Sequence, residues 1–132
     1  MNYIYMSDDN MGEVITNRHT KVFLKVGYSK QPQYRGCQLH SQARTMHGIN
    51  IPKRTFVTEA HAIPLNTTDK ALTLFVERYV LQKAMHMGSA SPCKGCKEYL
   101  RMSLADRDRC HALLPVWVQQ GILIFQLKKL GA

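Results

Sequence analysis

The chain is short of acid. Nine Asp and Glu stand against eighteen Lys and Arg in 132 residues, for a formal charge of +9 and a pI near 9.6. That deficit makes a polyanion the default partner, the alternative being a merely basic soluble domain. Cysteine is scarce as well. Cys37, Cys93, Cys96 and Cys110 are too few for a disulfide scaffold and suit a reducing compartment. No uninterrupted apolar run exceeds the length of Ile122 to Phe125, far below the roughly 20 residues of a spanning helix. Met1 to Asn10 has two acidic residues and no apolar stretch, which argues against a signal peptide. Repeats and linker-like stretches are missing too. These absences predict a soluble, intracellular, cytoplasmic protein with no membrane partner, folded as a single domain over 1–132. What is present supports this: 45% hydrophobic residues suffice for a core and exclude wholesale disorder.

The element pattern is α/β. Tyr3 to Met6 reads as a short strand, and Ser7 to Thr20 is polar with a turn signal at Asp8 to Gly12. Lys21 to Gly27 reads as a second strand. Lys21, Phe23, Lys25 and Gly27 share one of its faces, and Val22, Leu24 and Val26 share the other, which should meet the core. Pro32 suits the first turn of a helix running to Met46 or His47, with Gly48 just beyond it. Thr55 to Ile63 alternates as a third strand. Thr67 or Thr68 should cap a long helix ending near Met87, with Gly88 as its stop. Lys97 to Met102 reads as a fourth strand. Ser103 and Asp106 resemble a capping box opening a helix that Pro115 ends or kinks, and Gly121 to Leu127 reads as a last strand. The expected architecture is a small, mostly antiparallel sheet flanked by helices, with a core over about 3–102 and a C-terminal helix and strand over 103–130.

One residue stands out chemically. Glu77 has Thr73 and Leu81 a turn away on either side, and Leu74 and Val80 at three residues' spacing. A carboxylate among such neighbours loses hydration unless a cation compensates for it. An ion pair with Lys70 or around Arg78, or a solvated helix edge, accounts for it as well. Tyr3 and Tyr5 on the first strand, Lys25 on the second, and Arg35 early in the following helix are groups that a phosphodiesterase needs, since a guanidinium beside a helix N-terminus grips phosphate. Taken singly, each also fits a packing or surface role.

Together these segments resemble the GIY-YIG nuclease superfamily. The resemblance rests on Tyr3-Ile4-Tyr5, on Lys25-Val26-Gly27-Tyr28-Ser29, and on Pro32 and Arg35. It is closer to the phage-type branch, where the second motif reads Lys-Ile-Gly rather than Tyr-Ile-Gly. In that branch an arginine follows the glycine at the interval separating Arg35 from Gly27 here. A glutamate appears on a later helix, as in Phe75-Val76-Glu77-Arg78-Tyr79, and a Gly-x-x-Glu-aromatic strand closes the motif set, as Gly95-Cys96-Lys97-Glu98-Tyr99-Leu100 does here. The match runs from Tyr3 to Met102, some three quarters of the chain. Departures are visible: Tyr3 replaces the first glycine, Lys25 replaces a tyrosine, and Leu81 stands where a histidine often follows the glutamate.

The resemblance implies one-metal hydrolysis of DNA phosphodiesters. Glu77 would hold Mg²⁺ or Mn²⁺, and Tyr5 would act as general base with help from the charges of Lys25 and Arg35. Arg35 would stabilise charge on the phosphorane, and His40 would donate a supporting hydrogen bond. Arg18, His19, Lys21, Lys30 and Arg44 are the expected nucleic-acid contacts. A viral or mobile-element origin fits the branch. With no appended DNA-reading domain, specificity would be modest or supplied by a protein partner.

Other readings compete with it. Cys93 and Cys96 have knuckle spacing, and Cys110 and His111, or His86, would complete a structural Zn²⁺ site; reduced, unligated cysteines explain the same pattern. Glu59 and His61 share a face of the third strand with Val57 and Ile63, as an edge-exposed sheet face also would. The competing function is a catalytically inactive protein of the nuclease fold that binds nucleic acid or inhibits a defence or nucleic-acid-processing complex. The two functions separate on whether Tyr5, Arg35 and Glu77 converge in one cleft.

Overall fold

A single long strand organises the sheet. In the computed structural model, which describes residues 2–7, 14–16, 19–31, 62–88, 90–93 and 96–131, that strand is β3 (His19–Ser29). β1 (Tyr3–Ser7) pairs with its C-terminal half, Tyr3 opposite Ser29 and Ser7 opposite Lys25. β2 (Val14–Thr16) continues along the same edge, Val14 opposite Lys21. The other edge is taken by β6 (Cys96–Ser103), with Lys21 opposite Ser103 and Lys25 opposite Tyr99. β4 (Ala62–Pro64) lies outside β1, and β5 (Ser91–Cys93) lies outside β6, so the order is β4-β1-β3-β6-β5 with β2 beside β3. Every pairing among the described residues is antiparallel. The expected α/β class, a small antiparallel sheet with helices packed on it, is the one observed.

Both described helices cover one face of this sheet. α1 (Lys70–Met85) buries Thr73, Val76, Val80 and Ala84, a stripe at helical spacing. α2 (Leu104–Lys129) buries Cys110, Leu114, Trp117, Val118 and Gly121 in the same manner. These residues form one core with Ile4, Met6, Leu24, Val26, Leu100 and Met102 of the strands. Leu24 and Val26 thus face the core, as strand alternation requires. Asn2 ties the edges together. Its amide nitrogen donates to Thr73 Oγ1 at 2.9 Å, its backbone N–H donates to the Thr67 carbonyl at 2.9 Å, and its carbonyl accepts from the Leu65 N–H at 2.9 Å.

Several boundaries differ from the sequence-based expectation. α1 is capped by Asp69 rather than Thr67 or Thr68: Asp69 Oδ1 accepts from the Ala71 N–H at 2.9 Å. Thr67 acts one step earlier, its hydroxyl accepting from the Asp69 N–H at 3.0 Å. The helix ends at Met85, two residues before the expected end near Met87. The polar stretch Ser7 to Thr20 contains β2 and the start of β3. Ser103 does cap α2, its Oγ accepting from the Asp106 N–H at 3.2 Å. The largest correction concerns the C-terminus, where no strand exists at Gly121 to Leu127 and α2 continues through Pro115 to Lys129. Proline removes one rung of the helical ladder, but the buried stripe runs unbroken on both sides of it, and packing outweighs that loss. The expected helix from Pro32 and all but Ala62 and Ile63 of the core of the third strand lie outside the described residues.

The 26 residues of α2 also qualify, by length and composition, as a helix able to cross a membrane, the one such helix among the described residues. The sequence-level survey missed this because glutamines and Pro115 break its apolar residues into short runs.

Candidate functional site

The β1–β3 pair presents its polar candidates on the sheet face that α1 and α2 leave. Alternation turns Ile4 and Met6 into the helical core, so Tyr5 projects from the opposite face. Tyr5 has no exposed surface, and it packs there with Ala62 and partly buried Tyr3. Its partner across the ladder is Gly27. A Cβ on Gly27 would lie 2.5 Å from the Tyr5 hydroxyl and 2.7 Å from Cζ, so the phenol crosses directly over the glycine α-carbon. Only hydrogen fits at that point. The glycine of the second motif therefore makes room for the tyrosine of the first.

Lys25 lies two residues from Gly27 on the same face and is only 2% exposed. It is thus a diagonal neighbour of Tyr5, a relationship that spans about 7–8 Å between α-carbons in antiparallel pairs. Glu77 belongs to the other layer. It follows Val76 on the flank of the buried stripe of α1, half-buried, on the sheet side away from Tyr5 and Lys25. None of these three side chains is without a partner.

The structure therefore brings Tyr5 and Lys25 together and assigns Glu77 to the opposite layer. Arg35 and His40 lie outside the described residues, as do Arg18, Arg44, Glu59 and His61. His19 and Lys21 are placed at the start of β3, beside β2, by their backbones. Lys30 is exposed just past the end of β3, where the Ser29 hydroxyl accepts from the Gln31 N–H at 3.0 Å. Glu77, the residue that the resemblance would assign to a divalent cation, has an interaction partner of its own and lies across the sheet from Tyr5.

Comparison of the chain with family models, with curated proteins and with solved structures finds no match in any of the three. Its function is therefore argued from its own residues.

Of the cysteines considered for zinc, Cys110 is the one whose side chain is described. Cys110 is fully buried in the core, its Sγ 3.9 Å from Met102 Sδ. Burial, reinforced by the carboxylate of Asp106, pushes its thiol up from the ordinary 9.0 to about 12. Arg109, which pairs with Asp106 at 3.6 Å, acts in the other direction. A thiol so reluctant to ionise is a packing group rather than a nucleophile. Among the described residues, no group of three or more His, Cys, Asp or Glu side chains is arranged to hold a metal.

One feature escaped the sequence reading altogether. Between α1 and α2 runs an open groove floored by Phe75, Phe125 and Tyr79. The Phe75 and Phe125 rings meet at 5.5 Å, tilted by 56°. Lys128 Nζ lies 5.1 Å from the centre of the Phe75 ring, and Lys83 Nζ lies 5.5 Å from that of Tyr79. The signal was available in Phe75 and Tyr79 at i,i+4 on α1, but reading 121–127 as a strand moved Phe125 and Lys128 elsewhere.

Proposed function

We propose that this chain is a catalytically inactive protein of the GIY-YIG nuclease fold that binds nucleic acid. The observation that carries the reading is the separation of Glu77 from Tyr5 and Lys25 across the sheet, which puts a carboxylate for metal and a general base in no common cleft. Tyr5 is also wholly buried, with no surface to offer an attacking water. The +9 charge supports a polyanionic partner.

A second reading is a divalent-metal-dependent endonuclease hydrolysing DNA phosphodiesters, with Tyr5 as general base, Lys25 and Arg35 stabilising charge and Glu77 the residue that would hold Mg²⁺ or Mn²⁺. It is favoured by the Tyr5 phenol laid over Gly27 with Lys25 on the same face. A supercoiled-plasmid nicking assay in Mg²⁺ or EDTA decides between the two. A nuclease nicks only with metal, loses nicking in Glu77→Ala and Arg35→Ala, and is slowed about 10²–10⁴-fold by Tyr5→Phe. No nicking on DNA or RNA, with binding unchanged in the variants, establishes the binder instead.

A further inference from the structure

We propose that the α1–α2 groove is a separate binding site for single-stranded nucleic acid, distinct from the Tyr5 face. Two openings of about 640 and 340 Å³ share Phe75 and Lys128, so the groove is continuous along the helix pair. Its floor is aromatic and its rim cationic: Lys128 and Lys129 rise from α2, and Arg78 from α1. Among the described residues Asp69 is the one acid that lines it, and its carboxylate is occupied by the N–H groups of Ala71 and Leu72 at the α1 cap. Aromatic faces interleaved with Lys and Arg are the surface on which unpaired bases stack while phosphates meet cations.

The occupant follows from charge and shape. The rim is positive, so the ligand is anionic. The rings of Phe75, Tyr79 and Phe125 are half-buried between the helices, so a base must leave its own stack to reach them. A duplex keeps its bases inside, whereas a single strand presents them. Helix walls offer no free backbone edge for an extended peptide to pair with. The exposed residues suited to a lipid surface, Val116, Leu123, Leu127 and Leu130, form a different stripe of α2. Because both helices lie on the Leu24 face of the sheet, this groove and the Tyr5 face are on opposite sides of the molecule. The groove therefore binds whether or not the Tyr5 face cuts.

The test is fluorescence anisotropy on the full chain in EDTA. The probes are a labelled oligothymidylate, an abasic oligonucleotide of equal length and charge, and a duplex of the same length. Oligothymidylate should bind about tenfold or more tighter than the abasic strand, since stacking distinguishes them. Phe75→Leu with Phe125→Leu should erase that difference while leaving abasic binding intact. Lys128→Glu with Lys129→Glu, both exposed and outside the core, should weaken both strands and flatten the salt dependence. Equal affinity for thymidylate and abasic strands, preference for the duplex, or unchanged binding in the lysine variant each overturns the proposal. Binding in EDTA is read without cleavage, so failure here leaves the nicking result untouched, and the reverse also holds.

Discussion

The two faces of the sheet follow different rules. Toward α1 and α2 stand Ile4, Met6, Leu24, Val26, Leu100 and Met102, all apolar and closed to solvent. From the other face of the same strands project Tyr5, Lys25 and the bare α-carbon of Gly27. Alternation along β1 and β3 means that every step in sequence crosses from one set to the other. The first face has only to exclude water, and many apolar side chains of similar volume would serve. The second places a phenol, an ammonium and a gap in register, a specification that hydrophobic burial does not require. One face is an apolar core, and the other buries a phenol and an amine that apolar packing alone does not call for.

The comparison can be broken most forcefully from the helical side. Leu24→Ala opens a cavity under both helices and should cost about 2–5 kcal/mol in denaturant unfolding. A loss under about 1 kcal/mol would mean that this face is not the principal core. On the other face, Gly27→Ala forces a methyl group into the Tyr5 ring, an overpacking worth about 1–3 kcal/mol. Combining it with Tyr5→Ala should cost less than the two changes summed, and simple additivity would show that the ring does not cover the glycine. The last effect, silent at neutral pH, concerns Cys110. Its pKa is higher in the folded chain, about 12 against an ordinary 9.0, so the folded state holds the proton more tightly. The stability this lends is whole below pH 9 and is lost as pH rises toward 12, by at most about 1.4 kcal/mol per pH unit. Cys110→Ala should remove that slope from the unfolding free energy, and an unchanged slope would place its origin elsewhere.

The two faces were also unequally legible. The strands carrying the core and the Tyr5–Lys25 pair announced themselves, because Tyr3 to Met6 and Lys21 to Gly27 alternate long enough for a period of two to register. β2 and β5, with three residues each, are too short to show any period. Their existence is fixed by the neighbour they pair with. Ser103 was readable as a cap because its partner N–H is local, whereas the choice of Asp69 over Thr67 depends on how the Asn2 segment holds the preceding loop. The C-terminal half of α2 was misread through two residues, Pro115 and Gly121, taken as punctuation. Gly121 belongs to a buried stripe whose helical spacing from Cys110 carries the true signal, and Pro115 is exposed beside it. Of the site, the Tyr5–Lys25 juxtaposition was visible in the motifs. The side of the sheet to which Glu77 belongs was not, since it depends on which face α1 covers.

Gly121 has a mechanical consequence. A Cβ there would stand 3.3 Å from Tyr79 Cδ1, 3.4 Å from Val76 Cγ1 and 3.5 Å from Val76 Cα, so α2 approaches α1 closely at this point. The span between Phe75 and Phe125, one turn further on, lies beside that approach. Cations along the rim can be exchanged without altering it, whereas a methyl group added at 121 would oblige the Tyr79 ring to give by a few tenths of an ångström without touching a charge.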